Sequence, residues 1–322
     1  MMNLFDELED RNRILANEIS NAESVHNDAL AIELKKELYS NKIQMLNILT
    51  AKEKRAGITA RELKKEVDSK PKIPRYATGI ESLDYKLFGG IEIGTFVQLA
   101  GESGVGKTHL QLEILSNIAK YGKSVFFNFE MGDTRIVKRL EKLLTSDEQW
   151  DNLIIDSDSR NIDEICNEIT LYAKSGIKFF TIDSKMKIDT TESMQDYQKF
   201  SAISKKLAEL SQKQEVIIFL INQMNEDDIK NKRLAFKGSG DQKYDSDLAF
   251  FYVKDEDGNR KLICNKNRQD EKEFTLNLFL DENYRTQSND YKIVYKDKNN
   301  RIIAKPTITE FVADDTISMS ML

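Results

Sequence analysis

The chain has 322 residues, a net charge of -6, 40% hydrophobic and 32% charged residues, material for one large α/β domain plus an appendage or for two modest domains. Its two cysteines, Cys166 and Cys264, and two histidines, His26 and His109, stand at neither metal-ligand nor Ser-His-Asp spacing, which excludes zinc and triad chemistry and leaves the cysteines as core hydrophobes. The longest apolar runs, Val216 to Ile221 and Leu248 to Val253, fall far short of the roughly 20 residues that span a bilayer. The first residues offer no basic flank or apolar core of a secretory signal, so a cytoplasmic address without membrane contact is expected.

Residues 1–70 hold no proline and a single glycine, Gly57, and are rich in Glu, Lys, Leu, Ala and Asn. Leu30, Leu34, Leu38, Met45 and Leu49 recur at helical spacing, and Thr59-Ala-Arg-Glu62 has the form of a capping box. A helical appendage is predicted, suited to docking on another copy or on a partner. Pro71 and Pro74 mark a linker over residues 71–75.

From residue 76 onward, short apolar runs alternate with stretches of helical length. Phe96 to Ala100, Ser124 to Phe129, Leu153 to Ile155, Ile177 to Ile182 and Glu215 to Ile221 read as buried strands. Lys107 to Tyr121, Asp133 to Leu144, Ile162 to Ala173 and Met194 to Gln212 read as helices between them. That alternation predicts a mainly parallel twisted sheet with helices on both faces. Leu248 to Val253, Lys261 to Asn265 and Glu273 to Leu280 read as a strand meander extending the sheet, with Asp257-Gly258 at a hairpin turn. Residues 287–322 form a C-terminal extension with one predicted strand, Tyr291 to Tyr295.

Gly101-Glu-Ser-Gly-Val-Gly-Lys107-Thr108 fits G-x-x-x-x-G-K-[ST] and stands between a predicted strand and a predicted helix, where a phosphate cradle must stand. Its glycines let successive backbone N–H groups of Gly101, Glu102, Ser103, Gly104, Val105, Gly106 and the following residues curl around phosphate oxygens, and the helix N-terminus adds its positive end. Lys107 would meet the β and γ phosphates of ATP and Thr108 would hold Mg²⁺. The carboxylate that a P-loop needs near Mg²⁺ belongs at the end of a neighbouring strand, which points to Asp183. Glu130, directly after another strand, would emerge on the same edge to polarise the attacking water. Gln223 follows the strand ending at Ile221 with a neutral amide suited to sensing the γ-phosphate. The alternative readings are a strand-end turn aspartate for Asp183, a capping glutamate for Glu130 and an ordinary polar strand end for Gln223.

Thr78-Gly-Ile-Glu-Ser-Leu-Asp84, Gly89-Gly90-Ile91, Gly94 and the P-loop together resemble the opening of the RecA-like ATPases, which include DnaB-type replicative helicases, RadA and KaiC. Phe127-Asn-Phe-Glu-Met131 resembles the DnaB-type segment carrying the catalytic glutamate, here Glu130, and Leu220-Ile-Asn-Gln-Met-Asn225 resembles the coupling motif, here with Gln223. Lys266-Asn-Arg268, between two predicted strands, is similar to the lysine and arginine that reach a neighbouring subunit's nucleotide. The strand Glu273 to Leu280 followed by Asp281-Glu-Asn-Tyr-Arg285 resembles the C-terminal sheet of that family. The resemblance covers residues 76–286. The Ser-Lys-Met-Lys after Asp183 is less apolar than is usual in DnaB-type helicases, and RadA-type zinc cysteines are absent.

The resemblance implies a RecA-like P-loop fold, a homo-oligomeric ring or helical assembly with head-to-tail contacts, and single-stranded DNA as partner. The segment Asn225 to Asp247, with Lys230, Lys232, Arg233, Lys237 and Lys243 beside Gly238-Ser-Gly240, reads on its own as either a solvated loop or a phosphate-tracking one. In the resembled helicases such loops line the central channel. The function implied is an ATP-dependent, ring-forming DNA helicase or translocase in DNA replication, with residues 1–70 as a site for a loader or primase-type protein. The alternative is a RecA-, RadA- or KaiC-like ATPase that binds DNA or a partner in the ATP state without unwinding.

Overall fold

A computed structural model describes residues 4–25, 27–50, 57–69, 71, 73–158, 160–190, 195–224, 229, 233–237, 245–269, 272–288, 290, 293–296, 302–303 and 318–321. Two compact units result, Met1–Pro71 and Lys72–Leu322.

In the first unit, α1 (Leu4–Ser24) and α2 (Asp28–Thr50) pack against each other, burying Leu8, Leu15, Ile19 and Ala22 of one and Ala31 of the other. Arg11 pairs with Glu37 at 2.8 Å across the two helices, an exposed contact worth little beyond register. α3 (Ala60–Ser69) opens on the expected capping box: Thr59 Oγ1 accepts the Glu62 N–H at 3.3 Å, and Glu62 Oε2 accepts the Thr59 N–H at 2.8 Å.

In the second unit, β1 (Arg75–Tyr76) and β2 (Ile91–Glu92) pair antiparallel around α4 (Glu81–Lys86). The Thr78-Gly motif has a structural purpose here, because the Asp84 carboxylate accepts the backbone N–H groups of Thr78 at 2.6 Å and Gly79 at 2.9 Å. There follow β3 (Phe96–Gly101), α5 (Lys107–Ile118), β4 (Ser124–Asn128), α6 (Asp133–Leu140), α7 (Asp147–Asn152), β5 (Leu153–Asp156), α8 (Ile162–Lys174) and β6 (Phe179–Asp183). After a 3₁₀ turn at Lys185–Lys187 come α9 (Asp196–Gln214), β7 (Ile217–Ile221), β8 (Leu248–Lys254), β9 (Arg260–Asn267), β10 (Phe274–Leu280) and β11 (Thr286–Gln287). β12 (Ile293–Lys296), β13 (Ile302–Ile303) and β14 (Ser318–Met321) form a separate three-stranded sheet.

The main sheet runs β11-β10-β9-β8-β3-β7-β6-β4-β5, parallel from β8 to β5 and antiparallel beyond β8. This is the predicted mainly parallel α/β sheet with its meander. β3, β4, β6 and β7 are buried on both faces, as strands under two helical layers must be. One core packs Leu110, Leu112, Leu115 and Ile118 of α5 under the sheet; the other packs Ile165 and Ile169 of α8 and Ile203 and Leu207 of α9 on its opposite face.

Several predicted boundaries move for local reasons. β7 starts at Ile217 rather than Glu215 because Glu215 takes a left-handed φ of 51° and ends α9. α5 stops at Ile118 and α6 at Leu140, short of the predicted Tyr121 and Leu144. α7 escapes periodicity altogether, since its few residues depend on the Ser146 cap, whose side chain accepts the Gln149 N–H. Met194 and Tyr291 lie outside the described residues. The strand predicted near Tyr295 belongs to the small separate sheet. Gly258, at φ 82°, makes the predicted hairpin turn.

Candidate nucleotide-binding site

The loop from Gly101 to Gly106 joins the C-terminal end of β3 to the first turn of α5. Gly106 caps α5 with φ 110° and provides no side-chain hydrogen bond, which leaves the first-turn N–H groups to whatever sits in the loop. Gly104 has φ 75°, and a Cβ placed there meets nothing within 4 Å: the backbone needs glycine and the space beside it is open. Gly101 is needed for the opposite reason, because a Cβ would stand 2.3 Å from the Tyr252 carbonyl oxygen of β8. Of the other cradle residues, Val105 is buried, while Glu102 is half-buried and Ser103 exposed.

Lys107 Nζ donates to the carbonyl oxygens of Gly101 at 2.9 Å and Glu102 at 2.8 Å, so the ammonium is held over the loop. Burial pulls Lys107 below the ordinary lysine range, while the charges of Asp183, Glu130 and Glu102 act in the opposite direction. Thr108 Oγ1 donates to Asp183 Oδ2 at 2.6 Å. Asp183 closes β6 and is 1% exposed, and its second oxygen, Oδ1, is buried without a hydrogen-bond partner. Burial first, then the neighbouring Glu130, pushes the Asp183 carboxyl up to about 7 against the hydrogen bond from Thr108 and the charge of Lys107. Glu130 lies exposed just beyond β4, whose end is tied to β6 by the Phe129 N–H on the Asp183 carbonyl oxygen at 2.7 Å. Lys107, Thr108, Asp183 and Glu130 are therefore together on one edge of the sheet.

Gln223 follows β7 on that same edge: the Met224 N–H reaches the Gly101 carbonyl oxygen at 3.3 Å, and the Gln223 carbonyl oxygen accepts the Lys237 N–H at 2.8 Å. An antiparallel bridge between Met224 and Phe236 joins the start and the return of the polar segment, so Lys237 lies beside Gln223, and the exposed Arg233 stands four residues earlier in the chain. Lys230, Lys232, Lys243 and Gly238-Ser-Gly240 lie outside the described residues.

Lys266 and Arg268 stand elsewhere. Arg268 donates its N–H to the Asp247 carbonyl oxygen and Asp247 pairs with Phe96, which places Arg268 level with the start of β3, roughly 17 Å of strand from the Gly101 end. Its guanidinium faces Asp247 Oδ1 at 3.4 Å. Lys266 is within β9, not between strands as predicted, and a bulge there sets it opposite Ala249 instead of in the alternation of Leu262 and Cys264. Burial raises the Asp245 carboxyl, with Lys185, Lys266, Lys205 and Arg268 opposing it.

Four contacts lie outside what the motifs predict. Arg260 Nε donates to the Val105 carbonyl oxygen of the cradle at 3.1 Å; its cation on the core-facing alternation of β9, with Leu262 and Cys264, was the available signal. Buried Glu113 of α5 accepts the Thr286 N–H at 2.8 Å, and His109 Nε2 donates to the Tyr284 carbonyl oxygen at 2.9 Å, stitching the chain beyond β10 onto the P-loop helix. Buried Lys185 donates to Ser204 Oγ at 2.7 Å, which explains a lysine in the stretch after Asp183 as a tie to α9; burial pulls it down to about 7.

An unsatisfied buried acceptor, an uncapped helix start and open space at Gly104 are the set that a magnesium-bound triphosphate satisfies. Among the described residues no group of His, Cys, Asp and Glu forms a separate metal cluster, and no helix is long and apolar enough to cross a membrane.

Residues 76–149 match the family model of the DnaB-like helicase C terminal domain. DNA repair protein RadA of Aquifex aeolicus is 37% identical over 81 residues, covering 25% of this chain and 18% of that protein. RadA of Campylobacter jejuni is 41% identical over 70 residues, 21% of this chain and 16% of its own. The matched stretches thus span under a fifth of the length of these relatives. Among solved structures, one that is itself an isolated ATPase domain superposes with a TM-score of 0.60 at 17% identity over 73% of this chain and 99% of its own. A DnaB-like replicative helicase, described with its interactions with primase, gives a TM-score of 0.63 at 18% identity over 86% of this chain and 75% of its own. The chain carries a RecA-like P-loop core that resembles the DnaB-like helicases, with the RadA proteins as a second set of relatives.

Proposed function

We propose that the chain is an ATP-dependent, ring-forming DNA helicase or translocase of DnaB type, acting in DNA replication. One observation carries this reading: Lys107, Thr108, Asp183 and Glu130 share one edge of the sheet while Arg268 stands at the other, so Arg268 in the role of a hydrolysis arginine acts on a neighbour's site. Head-to-tail contacts of that kind close into a ring or extend as a helical assembly.

In the proposed site, backbone N–H groups from Gly104 to Thr108 hold the phosphates of ATP and Lys107 neutralises them. Thr108 and Asp183 would hold Mg²⁺, which when bound would offset phosphate charge. Glu130, the exposed carboxylate, takes the proton of the attacking water. Gln223 reads the γ-phosphate through its amide, and its backbone contact with Lys237 passes the reading to the polar segment. Arg233, Lys237 and their basic neighbours Lys230, Lys232 and Lys243 contact the backbone of single-stranded DNA. Lys266 and Arg268 serve the adjacent copy, and residues 1–70 dock on another copy or on a loader or primase-type protein, as the primase interactions of the compared helicase suggest.

A second reading, a RadA-like ATPase that binds DNA without unwinding, draws on the RadA matches. ATPase rate with and without single-stranded DNA, followed by displacement of a labelled strand from a fork, separates them. DNA-stimulated turnover with displacement supports the helicase; stimulation without displacement supports the second reading; no ATPase overturns both.

A further inference from the structure

We propose that Arg260 is a positioning residue of the phosphate cradle, one that sets the Val105–Gly106 peptide from outside the loop. The inference rests on reading this loop as a nucleotide site and adds a residue outside its motif. Arg260 opens β9, 155 residues beyond the valine whose carbonyl oxygen it holds at 3.1 Å. A planar trans peptide directs its C=O and its N–H to opposite sides. A guanidinium fastened to the Val105 oxygen therefore turns the Gly106 N–H the other way, toward the inside of the loop, and polarises it as a donor. Gly106 has the conformational freedom to follow, at φ 110°, and Arg260 Nε lies 3.9 Å from where a Gly106 Cβ would stand.

The surroundings suit this task. Tyr252 of β8, Cε1 at 3.7 Å from the same Cβ position, packs beside the guanidinium there. The hairpin carrying Arg260 is braced by Asp255, whose Oδ1 accepts the Asn259 N–H at 2.8 Å and whose Oδ2 meets Lys261 Nζ at 3.3 Å. That acid is committed to its own turn. Arg260 is half-buried and forms no ion pair among the described residues, so its charge is directed at the loop and at an anion that the loop would hold.

The test uses the full chain and measures binding of Mg-ATP, Mg-ADP and Mg-tripolyphosphate, with steady-state ATPase and thermal melting alongside. Arg260→Ala is expected to weaken all three ligands by a similar factor, roughly tenfold for a charge-assisted hydrogen bond, with kcat little changed and KM raised. Arg260→Lys, which keeps a cationic donor, is expected to recover part of the affinity, and it also covers the case of an alanine variant that does not fold. Three results overturn the proposal: unchanged affinity in Arg260→Ala while Lys107→Ala loses binding; weaker ATP with unchanged tripolyphosphate, which would make Arg260 a nucleoside contact; and a lysine variant that melts like wild type yet binds like alanine. A wild-type chain that binds none of the three ligands overturns the nucleotide reading itself, and is thereby distinguished from the other outcomes.

Discussion

Thr108 Oγ1 and Asp183 Oδ2 meet at 2.6 Å although 75 residues separate them in the chain. The contact joins the first turn of the P-loop helix to the end of β6 and leaves Asp183 Oδ1 buried without a partner. Asp183→Asn should reduce ATPase by about two orders of magnitude or more, the scale of losing an electrostatic group in a preorganised site. Because burial disfavours the charged carboxylate, the same variant should melt at an equal or higher temperature than wild type. Melting well below wild type, or near-normal turnover, would contradict the assignment.

Two glycines of the cradle should fail differently. Gly101→Ala drives a methyl group against the Tyr252 carbonyl oxygen and should cost about 1–3 kcal/mol of stability, seen as a lower denaturant midpoint. Gly104→Ala meets open space and bears only the left-handed backbone cost, about 1–2 kcal/mol, but disturbs the backbone whose N–H groups form the cradle. It should therefore lose nucleotide affinity out of proportion to its loss of stability. Equal proportion in the two variants would refute the account.

The separation of Arg268 from its own P-loop predicts complementation. Arg268→Ala and Lys107→Ala chains, each inactive alone, should regain ATPase when mixed, since random assembly leaves about a quarter of the interfaces with both residues intact. Mixed assemblies that stay inactive would argue against a shared site.

Cys166 on α8 offers a pH test away from the site. Burial pushes its thiol from 9.0 up to about 12, Lys206 opposing and Asp163 adding. Iodoacetamide at pH 8 should modify it slowly in the folded protein and rapidly in denaturant. A folded value above the unfolded one supplies stability that is complete below pH 9 and lost as pH rises toward 12. Cys166→Ala should therefore flatten the alkaline decline of the melting temperature; an unchanged decline would exclude this thiol as a source.

The parallel sheet, the P-loop and the strand-end residues Asp183, Glu130 and Gln223 were legible from residue order alone. Apolar runs of strand length, helices between them and polar residues at their ends are local patterns, and the C-terminal edge of a parallel sheet gathers those ends by geometry. A short capped helix such as α7 and the bulge that turns Lys266 to the face of Ala249 left no periodic trace, because one cap or one extra residue decides each. Only tertiary structure brought Arg260 to Val105 and Arg268 to Asp247. Which cation faces which carbonyl or carboxylate across strands is set by pairing register, and register follows from the packing of the whole sheet rather than from any stretch of chain.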